Sequence, residues 1–345
     1  MKKIFTFCAL LFIVSQNASA KIWRVNNNLG INADFTDLTP AVTAAAAGDT
    51  IMVEASATAY SGPTLTKKLI IIGPGYYFTD ANPNPKTEAN TNGANIGSVT
   101  FNAGCAGSVV EGCTVASVFL NESNVTFQRN LCSNYFYTAY AANSVCNNDT
   151  IRQNVIYGLV SGDITGKATN LLVYNNIFNG PMVQFAGNLN NISGYFINNI
   201  SLNGYSLSCA NFTFQNNIFS SANFGAYQSS NIFFNNITNV AFSSTTLPSG
   251  NSNQQNVDFA TVFNGWSSGT GFSSDGRYQL KSGSPAIGAG KINGITVDCG
   301  VFGGPAPYIL SGMPPIPSIY SLTVPAQIPS GTGTINISLS STTVH

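Results

Sequence analysis

Histidine is all but missing from this chain: of 345 residues the only one is the last, His345. A single terminal imidazole excludes His-based nucleophile relays and histidine-rich metal centres. No Cys-x-x-Cys pair occurs either, so neither a metal nor a cofactor is expected. Charge is scarce. Asp, Glu, Lys and Arg make up 8% of the chain, against about a quarter of an ordinary globular protein. Basic and acidic residues balance at 13 each, which leaves no electrostatic footprint for nucleic acid. Beyond the first 20 residues no apolar run is long enough to span a bilayer, so no transmembrane helix is expected.

What the first residues do contain is a targeting pattern. Lys2 and Lys3 precede an apolar stretch over 4–14, and Ala18-Ser19-Ala20 reads as a small-x-small cleavage site. Residues 1–20 are therefore expected to be a signal peptide, with the mature chain starting at Lys21. The destination is extracellular, cell-surface or periplasmic. Six cysteines follow the cleavage point: Cys105, Cys113, Cys132, Cys146, Cys209 and Cys299. An exported chain with an even count permits disulfides, in 15 pairings. Buried or locally bridged thiols are the plainer reading; Cys105 with Cys113, and Cys132 with Cys146, are the pairs to test first.

The missing charge is replaced by Asn, Ser, Thr and Gly, and by 23 Phe and 14 Tyr. These residues recur in order. A tetrapeptide ending in Asn appears as Phe127-Gln128-Arg129-Asn130, Ile151-Arg152-Gln153-Asn154 and Val173-Tyr174-Asn175-Asn176. It returns as Phe196-Ile197-Asn198-Asn199, Phe214-Gln215-Asn216-Asn217 and Phe233-Phe234-Asn235-Asn236. The final asparagines are 24, 22, 23, 18 and 19 residues apart, and an apolar residue follows each one. Units this short, rich in β-branched and aromatic residues, are strands and turns rather than helical repeats. The final Asn is expected at the bend, where its tolerance of the left-handed conformation is useful. Stacked coils would align these asparagines in a hydrogen-bonded ladder and the Phe, Ile and Val residues in an apolar bore.

This pattern resembles the right-handed parallel β-helix of the pectate-lyase-like superfamily, over roughly residues 22–305. The expected fold is all-β: a right-handed parallel β-helix solenoid with a short N-terminal capping helix and a small C-terminal β tail. Residues 21–49 are assigned to the N-terminal strand and capping helix, with Thr39 as N-cap and Gly48 as terminator. Residues 50–310 form the β-helix, about 11 coils at roughly 22 residues each. Residues 311–318 read as a Pro-rich linker and 319–345 as a short β tail. The run from Arg277 to Gly290 and on through Asp298 to Gly303 is similar to the closing segment of secreted bacterial β-helix proteins.

The resemblance implies activity on acidic polysaccharides, by hydrolysis with clustered aspartates or by elimination with a Lys or Arg base. This chain carries neither the paired aspartates of the hydrolases nor the Asp-rich calcium strands of the lyases. Its charged cluster is Glu122, Arg129, Asp149 and Arg152, with Arg129 and Arg152 on successive coils one residue out of register. Tyr135, Tyr137 and Tyr140 form the most aromatic segment, expected to project as a loop that stacks on sugar rings, or to pack on Tyr157. Arg129, Tyr135, Tyr137, Tyr140 and Arg152 are thus the candidate ligand-binding residues. The leading expectation is a non-catalytic, carbohydrate-associated or structural scaffold, with polysaccharide as its partner. The alternatives are a polysaccharide lyase or glycoside hydrolase, and an adhesin or assembly subunit that reaches the envelope, or another copy, through its C-terminal tail.

Overall fold

In the computed structural model the described residues are 20–180, 191–202, 209–221, 223–266, 269–325 and 334–343, with the backbone of 183–184. All of the expected signal segment except Ala20 lies outside them, as does His345. The chain forms a parallel β-solenoid. One sheet stacks Ile22–Val25, Thr50–Val53, Ile70–Ile72, Val109–Glu111, Thr126–Gln128, Thr150–Arg152, Lys167–Tyr174, Ile192–Ile197, Phe212–Gln215 and Ile232–Phe234. A second sheet stacks the strands between them, among them Leu131–Thr138, Val155–Ser161, Ile177–Phe178, Ile200–Ser201, Ile218–Phe219 and Ile237–Thr238.

Alternation fixes which residues face inward. The register aligns Ile51, Ile71, Val110, Phe127, Ile151, Val173, Phe196, Phe214 and Phe233 in one buried column. Phe196, Phe214 and Phe233 stack face to face with centroids 5.2 Å apart. No coil can bury this column alone; each relies on its neighbours, which is why the repeat propagates.

The asparagine ladder lies beside that column. The Oδ1 of Asn154 accepts the backbone N–H of Asn130 at 2.8 Å, that of Asn176 accepts Asn154 at 3.0 Å, and that of Asn199 accepts Asn176 at 2.9 Å. Asn217, Asn236 and Asn253 continue the same bond to the end of the stack. Each Nδ2 donates back to a strand carbonyl, such as Ile151 O for Asn176 and Val173 O for Asn199. These asparagines do not occupy the bend itself, contrary to expectation. The positive φ falls one residue earlier, at Arg129, Gln153, Asn175, Asn198, Asn216 and Asn235. The bend needs a residue that tolerates φ > 0; the ladder needs an amide that donates and accepts at once.

Both ends differ in detail from the sequence reading. The capping helix is Leu38–Ala44, and its N-cap is Asp37, not Thr39: the Asp37 carboxylate accepts the N–H of Leu38 and also that of Ser61, tying the helix to the next coil. It ends at Ala45 rather than Gly48. The stack makes about eight turns rather than eleven, because its last strand is Ile237–Thr238 and not near residue 310. The chain then turns back as a strap along the flank. Asn235 Nδ2 donates to Ala289 O, Asn216 Nδ2 to Lys291 O, Asn198 Nδ2 to Asp298 O and Gly300 O, and Asn175 Nδ2 to Val301 O and Gly303 O. Gln153 and Arg129 extend the row to Pro307 O and Met313 O. The apolar residue after each ladder Asn (Val155, Ile177, Ile200, Ile218, Ile237) packs in a second core with Phe259, Phe263, Cys299, Val301 and Tyr308.

A buried polar knot fastens the strap. The Asp275 carboxylate accepts from Asn84 Nδ2 (2.9 Å), Ser273 Oγ (2.9 Å), Tyr308 OH (3.0 Å) and Ser311 N (2.6 Å), and the Tyr76 and Tyr308 hydroxyls meet at 2.7 Å. Ser311, Gly312, Met313 and Pro314 are buried, so the first half of the expected Pro-rich linker is packed against the rod, while Pro315 and Pro317 stay exposed. The tail is an antiparallel pair of strands, Ser318–Thr323 and Ser338–Thr342. All six cysteines past residue 20 are free and buried, so neither expected test pair is bridged. Burial pushes the thiols of Cys105, Cys113, Cys132, Cys146 and Cys299 up to about 12, which leaves them inert as nucleophiles at neutral pH.

Candidate functional site

The tyrosine segment is a strand, not a projecting loop. Leu131–Thr138 pairs on one side with Val118–Leu120 and on the other with Val155–Ser161, with an irregularity between Cys132 and Tyr135. Alternation turns Phe136 into the core and Tyr135 and Tyr137 outward. The register places Phe119 beside Tyr137. Their rings stack at 5.3 Å and 13°. Tyr140, just past the strand, leans over both, 4.4 Å from Phe119 and 5.5 Å from Tyr137. Tyr135 meets Tyr157 edge to face at 5.1 Å, realising the packing alternative for that ring.

The outcome is a patch of five rings on the outer face of the second sheet. Phe119, Tyr135, Tyr137 and Tyr157 are half-buried, and Tyr140 is 46% exposed. Stacking of Phe119 on Tyr137 occupies their facing surfaces, so they present edges outward; Tyr140 is the most open ring. Among the described residues no hydrogen bond engages the hydroxyls of Tyr137 and Tyr140, which leaves them as donors and acceptors toward solvent. Such a patch offers apolar edges and phenolic hydroxyls together, the combination that a sugar with apolar C–H faces and polar rims matches.

The arginines are placed elsewhere and are not brought together with the tyrosines. Arg152 stands on the outer face of the first sheet, in the outward row of Glu111, Gln128, Tyr174, Ile197, Gln215 and Phe234. Its Nε donates to Gln128 Oε1 at 2.6 Å and its Nη1 to Tyr174 OH at 2.7 Å. Gln128 Nε2 in turn donates to Glu111 Oε2 at 2.5 Å, so the amide bridges carboxylate and guanidinium. Arg129 lies at the corner, its Nε on Gln153 Oε1 at 3.1 Å and its Nη1 toward Met313 O of the strap. Burial, and then the nearby Arg152 charge, lower its pKa; Glu111 acts the other way.

The carboxylates of the expected cluster lie apart from both arginines. Glu122 caps a turn, accepting the N–H of Gly104 and of Ser123 at 2.8 Å each. Asp149 is buried: Oδ1 accepts Val125 N at 2.7 Å, and Oδ2 has no partner. Burial first, and the Glu122 charge after it, push the Asp149 carboxyl up to about 8. Among the described residues no group of three or more His, Cys, Asp or Glu side chains is arranged to hold a metal. None of the described helices is long and apolar enough to cross a membrane.

Sequence reasoning missed Phe119 as a member of the patch, and reached Tyr157 only as a packing partner of the tyrosines. The signal for both is register: each lies on the coil next to the Tyr135–Tyr137 stretch, and the coil lengths vary too much to align them by counting. No protein-family model matches this chain, and no curated protein matches it.

Proposed function

We propose that this protein is an exported, non-catalytic scaffold that associates with polysaccharide at the cell surface or outside the cell, through the tyrosine patch. The observation that carries this reading is the cluster of Phe119, Tyr135, Tyr137, Tyr140 and Tyr157 on the outer side of the second sheet. Aromatic side chains on such a support lose little conformational freedom when a ligand docks, which favours binding. The charge-poor surroundings suit a neutral glycan better than a uronic-acid polymer. An arginine-based elimination is less well supported, since Arg129 reaches under the strap and Arg152 is held between Gln128 and Tyr174.

Affinity electrophoresis through neutral and uronic-acid polysaccharides tests the reading. Retardation is expected in at least one neutral polymer. Tyr140→Ala should weaken it about fivefold or more, in line with the contribution of one aromatic contact. Arg152→Ala should leave it unchanged. Equal retardation of wild type and Tyr140→Ala, or release of shortened chains from any polymer, would overturn it.

A further inference from the structure

Asp49 is a buried carboxylate whose hydrogen bonds come from neutral donors. Its Oδ1 accepts the backbone N–H of Lys21 at 2.8 Å; its Oδ2 accepts Trp23 Nε1 and Ala46 N, both at 2.8 Å. No side-chain ion pair reaches it among the described residues. The Lys21 ammonium lies 3.1 Å from the centroid of the Trp23 ring instead, and Lys67 Nζ bonds the carbonyls of Thr43 and Ala45. Among the described residues, Lys21 also makes the first backbone bond of the rod. Thr50 N donates to Lys21 O at 2.9 Å, and the parallel ladder starts one residue on, at Ile22 and Thr50. Ala20, just before it, is exposed.

The atom that sits on Asp49 is therefore the nitrogen of the Ala20–Lys21 peptide bond, the bond at which the small-x-small motif would be cut. We infer that Ala20–Lys21 is a processing site whose cleavage delivers the new α-ammonium of Lys21 to the waiting Asp49 carboxylate, converting an amide hydrogen bond into a buried ion pair that locks the first strand. Water supplies both halves of the step. Its hydroxyl ends on the Ala20 carbonyl carbon as a carboxylate, and Lys21 N leaves with the proton and is an ammonium at neutral pH. The catalyst is a processing protease of the export route, so the inference rests on the export reading. A charge-assisted bond is roughly twice as strong as its neutral counterpart. Cleavage one residue to either side would put the ammonium out of reach or remove the donor.

The sign with pH follows from the partner. A carboxylate beside an amine favours its charged form and raises the folded-state pKa above the unfolded value of about 7.7–8.0. The stabilisation is then complete below that unfolded value and is lost as pH rises through the folded one. The other charges facing the pair are the Lys21 side chain over Trp23 and, from the next coil, Lys67.

Two proteins released from a cleavable fusion carry the test, one starting at Lys21 and one at Ala20, so that both have one α-amine. At pH 6 the Lys21 form is expected to melt about 2–4 °C higher. The excess should vanish at pH 10 and in the Asp49→Asn background. NMR titration of the Lys21 α-amine in the wild-type protein should give a raised pKa even if Asp49→Asn fails to fold. Equal melting at pH 6 with an ordinary titration would overturn the ion pair. Mass analysis of protein recovered from exporting cells should find Lys21 at the N-terminus; a different first residue overturns the processing site. Retention of the uncut chain inside the cell would sink the export reading itself, and the melting comparison would still judge the pairing.

Discussion

Asn176→Ala is expected to lower the stability of the solenoid by about 3–5 kcal/mol, since it strands several buried polar groups at once. The Asn176 Oδ1 accepts the N–H and Nδ2 of Asn154, at 3.0 and 2.9 Å, while its Nδ2 donates to Ile151 O, Tyr174 O and the Oδ1 of Asn199. Alanine leaves the buried Asn154 N–H without a partner, strips the Asn154 amide and the Asn199 Oδ1 of their Asn176 bonds, and removes the side-chain donor to the Ile151 carbonyl. Buried groups left unpaired cost more than the average hydrogen bond gains, so the loss should exceed that of removing an exposed Asn of the same coil, such as Asn170. Because each coil contacts chiefly its neighbours, the damage should be local. Hydrogen exchange should accelerate most over 130–200 and least near the capping helix Leu38–Ala44. An unfolding midpoint equal to that of the wild-type protein would mean that the column of amides contributes nothing.

That column was legible in the sequence because one side chain per coil does a job no other residue type does. An amide that must donate upward and accept downward leaves Asn at each turn from Asn130 to Asn253, and the intervals of 17–24 residues follow from the coil length. Which of two adjacent positions made the bend was less legible, since Asn suits both a left-handed corner and a ladder. Arg129 and Gln153 resolve it: both have positive φ at the corner, whereas the ladder position in their coils is still Asn130 and Asn154.

The strap was not legible for a different reason. Corner side chains grip it through its own backbone carbonyls, at Ala289, Lys291, Asp298, Gly300, Val301 and Gly303. A segment recognised by its carbonyls needs no particular residue types and leaves no spacing to read. The apolar residue after each ladder Asn was visible, but not that it faces outward under residues 259–308. Of the candidate site, the three tyrosines were found because they are close in sequence. Their separation from Arg129 and Arg152 depends on which of two sheets carries each strand, and the repeat is silent on that.

Asp149 carries the other large effect, and its sign is opposite to that of most acidic groups. The carboxyl is 1% exposed, has one hydrogen bond and one oxygen without a partner, and is held up to about 8 chiefly by burial. In the unfolded chain it ionises near the ordinary value of about 3.9. Between these values the folded state binds the proton and the unfolded state does not, so stability falls as pH rises from about 4 to 8 and is level above that. The full span corresponds to an upper limit on the order of 5 kcal/mol, at 1.36 kcal/mol per unit. Asp149→Asn removes the ionisation and keeps an oxygen for the N–H of Val125. The variant should therefore be close to wild type at pH 4, where the native carboxyl is neutral, and more stable by a few kcal/mol at pH 8. Urea unfolding of both proteins at the two pH values measures the difference directly. Parallel stability curves from pH 4 to 8 would show that Asp149 is ionised in the folded protein and that its second oxygen has found a partner. The same measurement separates this carboxyl from the Lys21 α-amine, whose contribution declines only above pH 8 and is untouched by the Asp149 substitution.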